Sequence, residues 1–401
     1  MTETSKINIF DSAQKSKISD TVKGAKDYLG QDALKREKIK DILVRNFKLY
    51  GFEPAETPII EFEEFVRGNN QSDEAVSDIF KLQDKGQRKL ALRYELTFQL
   101  KRIAQNKKLP YKRYQIGEVF RDEPASSNRF RQFTQCDVDV IGSTIREEAE
   151  ILALTSKLLK ELGIKAVINI NNRKLLNEIL EKEGVKEKEK AIKEIDKLGK
   201  IPEEELKNNL KKLKADKVLQ IFKKPELFFE KFASYKEIKE LKDFCKEYNV
   251  TVNFQPTLAR GLSYYNGSIF EINTEGMRET IIAGGSYLIN GLQSTGISFG
   301  LNRLDQLANI TIGEKRILII SIGEDEKSVE LANKLRNESI PCAIMFGKPS
   351  KALEYANSYQ LPYVIFLGKD EIKQKKAKLR DMKTGKEEML SQKALIDKLK
   401  S

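Results

Sequence analysis

Between Tyr114 and Gly142 the apolar positions alternate with polar ones twice. Tyr114, Ile116, Val119 and Phe120 lie among polar neighbours. Asp122 to Asn128 is polar around Pro124 and two serines. Phe133, Cys136, Val138 and Val140 then resume the alternation. A period of two predicts strands with one buried face, and the Pro/Ser stretch predicts a turn. Two antiparallel strands joined by a charged loop follow. Downstream, EEAEILALTSKLLKELGI reads as an amphipathic helix ended at Gly163. Upstream, Ile39, Ile42, Leu43, Phe47 and Leu49 predict a helix that stops at Gly51, and FEPAETPIIEFEEF predicts an extended segment. Phe80 to Leu92 predicts a hairpin turning at Asp84-Lys85-Gly86, LRYELTFQLKRIA a helix start, and KAVININ a short strand. Residues 1–20 lack periodicity and read as loose.

The pattern changes over residues 174–250, which are rich in Lys and Glu and broken by Gly184, Gly199, Pro202 and Pro225. Leu206, Leu210, Leu213 and Leu219 recur there at helical spacing, predicting a small helical insertion. A strand from Ser268 to Ile272 follows, then a strand running into a helix at Gly300. Beyond a boundary near Ile312–Lys315 strand and helix alternate (KRILIISIG, SVELANKLRNES, IPCAIMFG, ALEYANSYQ, PYVIFLG), with a hairpin at Thr384-Gly385 and a helical tail. That alternation predicts a mixed α/β domain. The expected division is 1–173 and 251–312 as two parts of one core, 174–250 as an insertion, and 313–401 as a separate domain.

A chain of 401 residues has room for two or three cores. Its net charge of +12 and pI near 9.2 favour a polyanionic partner, nucleic acid first, although a Lys/Glu-rich surface gives the same composition. No apolar run reaches membrane-spanning length, and MTETSKINIFDSAQK has no signal core, which points to the cytoplasm. Cys136, Cys245 and Cys342 are too scattered for a metal site or a disulfide framework. The chain has no histidine, so Ser-His-Asp, Cys-His and most zinc chemistries are excluded. Nothing in the sequence accounts for that absence.

The charged loop carries Arg121, Glu123, Arg129 and Arg131, with Phe133 just behind. Guanidinium forks grip phosphate oxygens, a carboxylate holds Mg²⁺ or an amine, and an aromatic beside an arginine stacks on a base. A solvated hairpin tip has the same composition. FRDEP followed by RFRQFTQ resembles motif 2 of the class II aminoacyl-tRNA synthetases, and the spacing to Gln135 and Asp139 is similar to that of histidyl-tRNA synthetases. Residues 33–62 resemble motif 1, and LRYELT resembles LRPEGT with Tyr94 and Leu96 substituted. TLARGLSYYNGSIFEI (residues 257–272) resembles a segment diagnostic of histidyl-tRNA synthetases, with Ser263 giving an archaeal-like version. IIAGGSYLINGL is similar to the GGRYDGL signature, with Ser286 and Leu288 in place of Arg and Asp, and GISFGLNRLDQLA resembles motif 3.

The resemblance implies an α+β class II catalytic domain, an antiparallel sheet flanked by helices, with a helical insertion approaching the tRNA acceptor stem. It also implies a C-terminal α/β anticodon-binding domain and a homodimer built through motif 1. The implied activity is a histidine–tRNA ligase, using ATP and Mg²⁺ and no protein imidazole or thiol as metal ligand, with histidine tRNA as partner and no membrane. The resemblance places Arg121 and Arg260 on the α-phosphate, Glu123 on the adenine side or a metal-bound water, and Arg129 and Arg303 on the β/γ end. Phe133 would stack on adenine. Glu95, Thr97 and Gln135 would hold the amino group of histidine. Asp139 and Tyr265 would meet its imidazole, with Tyr264 and Tyr287 beside them; the family usually has Glu where this chain has Asp139. Arg121, Arg260 and Arg303 are the implied catalytic residues. Two other readings remain: a non-catalytic, histidine-sensing regulatory subunit of histidine biosynthesis, which usually lacks the C-terminal domain and the ATP arginines, and a synthetase for another amino acid.

Overall fold

The computed structural model describes residues 21–68, 78–126, 129–260, 264–274, 280–312 and 316–400. The loose terminus expected at 1–20, the turn end at Asn128, the residues Gly261 and Ser263, and most of the boundary at 313–315 lie outside the described residues. The chain divides into two compact units, the second comprising Leu29–Leu34 and the chain from Thr311 onward.

The first unit is built on an eight-stranded sheet. Its strands are β1 (Glu53–Pro54), β5 (Tyr111–Phe120), β6 (Gln132–Ile141), β7 (Val167–Asn172), β8 (Asn253–Phe254), β9 (Tyr265–Asn273), β10 (Ile282–Ile289) and β11 (Leu292–Gly300). The order is β1-β5-β6-β11-β10-β9-β7-β8; only β1/β5 and β7/β8 pair in parallel. A second, three-stranded sheet joins β2 (Ile60–Phe62), β4 (Lys89–Leu92) and β3 (Lys81–Gln83), the last two forming the expected hairpin.

On one face of the large sheet, Cys136, Val138 and Val140 join a continuous core. Helix α1 (Gly30–Leu49) supplies Ile39, Ile42, Leu43 and Phe47 to it, and the helix Ile145–Glu161 supplies Ile151, Leu152 and Leu158. Thr144 and Glu147 close a capping box at the start of that second helix. The other face of β5 and β6 is not solvated as one-sided alternation predicts. Arg113, Gln115, Asp137 and Asp139 are all buried there, because loops of the same unit cover it. Arg113, for instance, donates to the carbonyl of Leu96 at 2.7 Å.

Three local expectations are corrected. Leu49 is 65% exposed and ends the stripe of α1 without joining the core. The extended segment after Pro58 gives way to a short helix at Glu63–Arg67. The helix in LRYELTFQLKRIA begins only at Leu100 (Leu100–Ile103), so Glu95 and Thr97 precede it on a loop and neither caps it.

Residues 173–247 are helical: Arg173–Lys182, Lys188–Ile195, Glu203–Lys212, Val218–Phe222 and Tyr235–Glu247, with a 3₁₀ turn at Glu226–Lys231. Their apolar faces share the core of the large sheet, as where Phe229 meets Phe254 edge-on at 5.1 Å. The second unit has a five-stranded sheet in the order β13 (Cys342–Phe346), β12 (Ile317–Ile322), β14 (Tyr363–Gly368), β15 (Lys376–Asp381), β16 (Glu387–Ser391). Helices Asp325–Asn337, Pro349–Ser358, Lys369–Lys373 and Gln392–Lys400 accompany it. Ile317 and Ile319 enter one apolar cluster and Leu318 and Ile320 another, so the central strand is buried on both faces. Among the described residues no helix is long and apolar enough to cross a membrane.

Candidate active site

Because side chains alternate across a strand, β6 sends Gln135, Asp137 and Asp139 to the face opposite its apolar residues. Registration sets Asp137 beside Gln115 on β5 and Ser298 on β11, and Asp139 beside Arg113 and Gly296. Over this floor lies a cavity of about 230 Å³ lined by Glu95, Thr97, Arg121, Glu123, Arg129, Phe133, Gln135, Arg260, Tyr264, Tyr265 and Arg303. Four segments far apart in sequence thus bring all the expected residues except Asp139 and Tyr287 to one cavity.

Those two do not line the cavity; Asp139 was expected to meet the ligand directly. Asp139 accepts a hydrogen bond from the Tyr287 hydroxyl, and its other oxygen is 2.7 Å from Nη2 of Arg113. The contact with Arg113 is an ion pair; Asp139 Oδ2 has no hydrogen-bond partner in the protein. Of the two carboxylates on β6, the one that lines the cavity is Asp137, which sequence reasoning passed over although it shares the face of Gln135 and Asp139. Ser298, Thr280 and Asn302 also line it unforeseen; Ser298 accepts from Gln135 Nε2 at 2.9 Å.

The acidic part of the site is short of partners. Glu95 Oε1, Gln135 Oε1 and Asp137 Oδ1 are buried acceptors with no hydrogen bond from the protein. Burial pushes Glu95 up to about 8, with Asp137 and Asp139 adding to the rise and Arg121 opposing it. Burial likewise lifts Asp137 to about 7, helped by Asp139 and opposed by Arg113. A cation placed among these groups would supply what they lack.

The basic part is held lightly. Arg121 donates from Nε to the Tyr94 carbonyl at 3.3 Å, with its guanidinium carbon 5.2 Å from the centre of the Phe133 ring. Arg303 donates to the Thr280 carbonyl. Arg129 pairs with Glu123 at 2.8 Å. Arg260 stands 3.7 Å from Glu271, and its Nε is buried without a partner. Arg260 with its orphaned Nε, and Arg121 beside an aromatic ring, suit a nucleotide.

The rings of Tyr264 and Tyr265 are tilted at 45° with centroids 4.7 Å apart, and Tyr287 meets Tyr264 edge-on at 5.6 Å. Burial raises all three phenols, so they remain hydroxyl donors at neutral pH. The paired glycines of the GGSY segment have a packing reason here. A Cβ on Gly285 would come within 2.9 Å of the Tyr265 ring. One on Gly296, across the ladder, would come within 2.8 Å of the Tyr287 hydroxyl.

Comparison with known proteins gives the family. The family model "Histidyl-tRNA synthetase" matches residues 24–304, and the model "Anticodon binding domain" matches residues 316–401. Histidine–tRNA ligase 1 of Bacillus cereus (ATCC 14579) is 34% identical over 409 residues, spanning 91% of this chain and 96% of the relative. Histidine–tRNA ligase of Wolinella succinogenes is 34% identical over 419 residues, spanning 91% of this chain and 94% of the relative. Among solved structures, histidyl-tRNA synthetase from Nostoc sp. PCC 7120 superposes with a TM-score of 0.83 at 23% identity, over 95% of this chain and 99% of that one. The ATP phosphoribosyltransferase regulatory subunit/histidyl-tRNA synthetase from Bacillus halodurans superposes at 0.74 and 21% identity, over 88% and 99%.

Proposed function

From the premise that this chain belongs to the histidyl-tRNA synthetase family, we propose that its cavity is where histidine and ATP are joined before histidine passes to tRNA. Its activity is that of a histidine–tRNA ligase, an ATP-dependent aminoacyl-tRNA ligase with an anticodon-binding unit at its C-terminus. The observation that carries the residue assignment is the set of three buried, unpartnered acceptors sharing one cavity with Arg121, Arg260 and Arg303.

Histidine's ammonium is held by Glu95, Gln135 and Asp137, with Thr97 beside them. Its imidazole meets Tyr265, and Asp139 acts from behind through Tyr287. Reading a polar ring with paired hydrogen-bonding groups rejects isosteres by about 10⁴-fold, because the analogue leaves those groups unpaired. The carboxylate oxygen of histidine attacks the α-phosphorus of ATP, forming an O–P bond as pyrophosphate leaves. Arg121 and Arg260 stabilise charge growing on the α-phosphate, and Arg129 and Arg303 hold the β/γ end. Phe133 stacks on adenine. A terminal hydroxyl of tRNA then attacks the activated carbonyl and AMP leaves. Both steps rest on positioning and charge stabilisation, which a chain without histidine supplies. Among the described residues no cluster of three acidic or thiol groups offers a protein metal site, so Mg²⁺ would enter with ATP and would offset its phosphate charge, with Glu123, paired with Arg129 at 2.8 Å, as the carboxylate that would face it.

A homodimer formed through residues 33–62 is supported by the exposed apolar side chains of Ile60 and Phe62 on β2 and Leu82 on β3. Three free cysteines suit a reducing cytoplasm. The archaeal-like reading rests on Ser263, whereas the relatives named above are bacterial. The regulatory-subunit reading shares the fold, but the retained arginines and the C-terminal unit favour the ligase.

The deciding experiment is amino-acid-dependent exchange of pyrophosphate into ATP by the purified chain. Histidine is expected to support it above every other amino acid. Preference for another amino acid overturns the specificity, and no exchange at all restores the regulatory reading.

A further inference from the structure

Arg260 has a backbone conformation that a residue with a side chain rarely holds unaided, with φ +54°. Its own side chain does little to hold it there, given the 3.7 Å distance to Glu271 and the unpartnered Nε. The backbone leading to it is held from elsewhere. Asn171, at the end of β7, donates from Nδ2 to the carbonyls of Pro256 at 3.1 Å and Leu258 at 2.7 Å. Arg173, 3% exposed at the start of the next helix, donates from Nη1 to the carbonyls of Ala259 and Arg260 at 3.4 Å each. Its Nη2 donates to Glu189 Oε2 at 2.6 Å, on the helix Lys188–Ile195.

We propose that Arg173 is a positioning residue for Arg260: its buried guanidinium fixes the carbonyls of Ala259 and Arg260 and anchors them, through Glu189, to the helical segment 188–195. Arg173 does not line the cavity, so it acts only through the residue it orients. Either carbonyl bond is long by itself. A planar charged fork shared between two consecutive carbonyls and a carboxylate nevertheless defines one orientation, which a lysine point charge does not. The inference rests on the reading of Arg260 as a catalytic residue.

The test is single-turnover adenylate formation at saturating histidine and ATP in a four-way cycle of wild type, Arg173→Gln, Arg260→Ala and the double variant, with thermal melting of each. Misplacing a catalytic group by about 1 Å costs roughly 10²-fold, so Arg173→Gln is expected to slow the chemical step by about 10- to 100-fold. In the Arg260→Ala background the same change should cost nothing further, while its effect on melting persists. An equal fold-loss in both backgrounds, or no loss in a folded Arg173→Gln protein, overturns the positioning role. A wild-type rate for Arg260→Ala sinks the catalytic reading of Arg260 instead, and is distinguishable for that reason. Should Arg173→Gln not fold, Glu189→Gln at a 60% exposed side chain replaces it in the cycle. A smaller loss confined to the Arg260 background supports the proposal, and a background-independent loss or none overturns it.

Discussion

Arg113 and Asp139 face each other across β5 and β6 with Nη2 2.7 Å from Oδ2, and neither side chain is more than 4% exposed. The Tyr287 hydroxyl donates to the second carboxylate oxygen. Burial raises the Asp139 carboxyl while Arg113 and Tyr287 oppose the rise. Removing one partner of such a pair strands the other charge in a desolvated interior, a cost of about 3–5 kcal/mol. Asp139→Asn is therefore expected to lower stability by about that amount in denaturant unfolding. An unchanged midpoint with lost discrimination among histidine analogues would show that Asp139 serves the ligand and not the fold.

Glu95 gives a pH dependence of definite sign. Its folded value, near 8, lies above the ordinary 4.5, chiefly through burial. Between those values the folded state binds more protons than the unfolded state, so free-protein stability should fall as pH rises from about 5 to 8. Glu95→Gln should flatten that fall. Histidine's ammonium favours the ionised carboxylate, so binding near pH 7 should release protons. Calorimetric titration in two buffers of different ionisation heat measures this, and zero release would remove Glu95 from the ammonium site.

Arg260 separates two roles. If it only braced its loop against Glu271, Glu271→Gln would cost as much rate as Arg260→Ala. A preorganised donor at developing charge is worth about 10²–10³ in rate. Arg260→Ala should lose that much in single-turnover adenylation, while Glu271→Gln stays within a few-fold of wild type.

The break between the two units gives a truncation test. A chain ending at Ile312 should retain histidine-dependent pyrophosphate exchange and lose most aminoacylation, because residues 316–401 form the anticodon-binding unit. Sedimentation must accompany the assay. Loss of exchange in a truncated chain of unchanged oligomeric state would refute the separation.

Phe62, 58% exposed on β2, tests the dimer surface. The full-length chain should sediment as a dimer at micromolar concentration and Phe62→Lys as a monomer. A dimer unaffected by the substitution would move the interface elsewhere.

Local pattern was enough to find the strands Tyr111–Phe120 and Gln132–Ile141, the helix Ile145–Glu161 with its glycine stop, and the alternating C-terminal unit. In each, side-chain periodicity and turn residues act within a few positions of one another, so the sequence alone determines them. The cluster of guanidinium groups between Arg121 and Phe133 was legible for a related reason: these residues stand close together in the chain. Tertiary structure decided which carboxylate meets the cavity. Asp137 and Asp139 share one strand face; the register sets Arg113 opposite Asp139, which also takes the Tyr287 hydroxyl, while Asp137 lines the cavity. It also decided that Glu95 and Thr97 sit on a loop over the sheet, and that Arg173 reaches the backbone of Arg260 across 87 residues of chain. Such contacts depend on three-dimensional proximity and partner geometry, which no spacing along a single chain encodes.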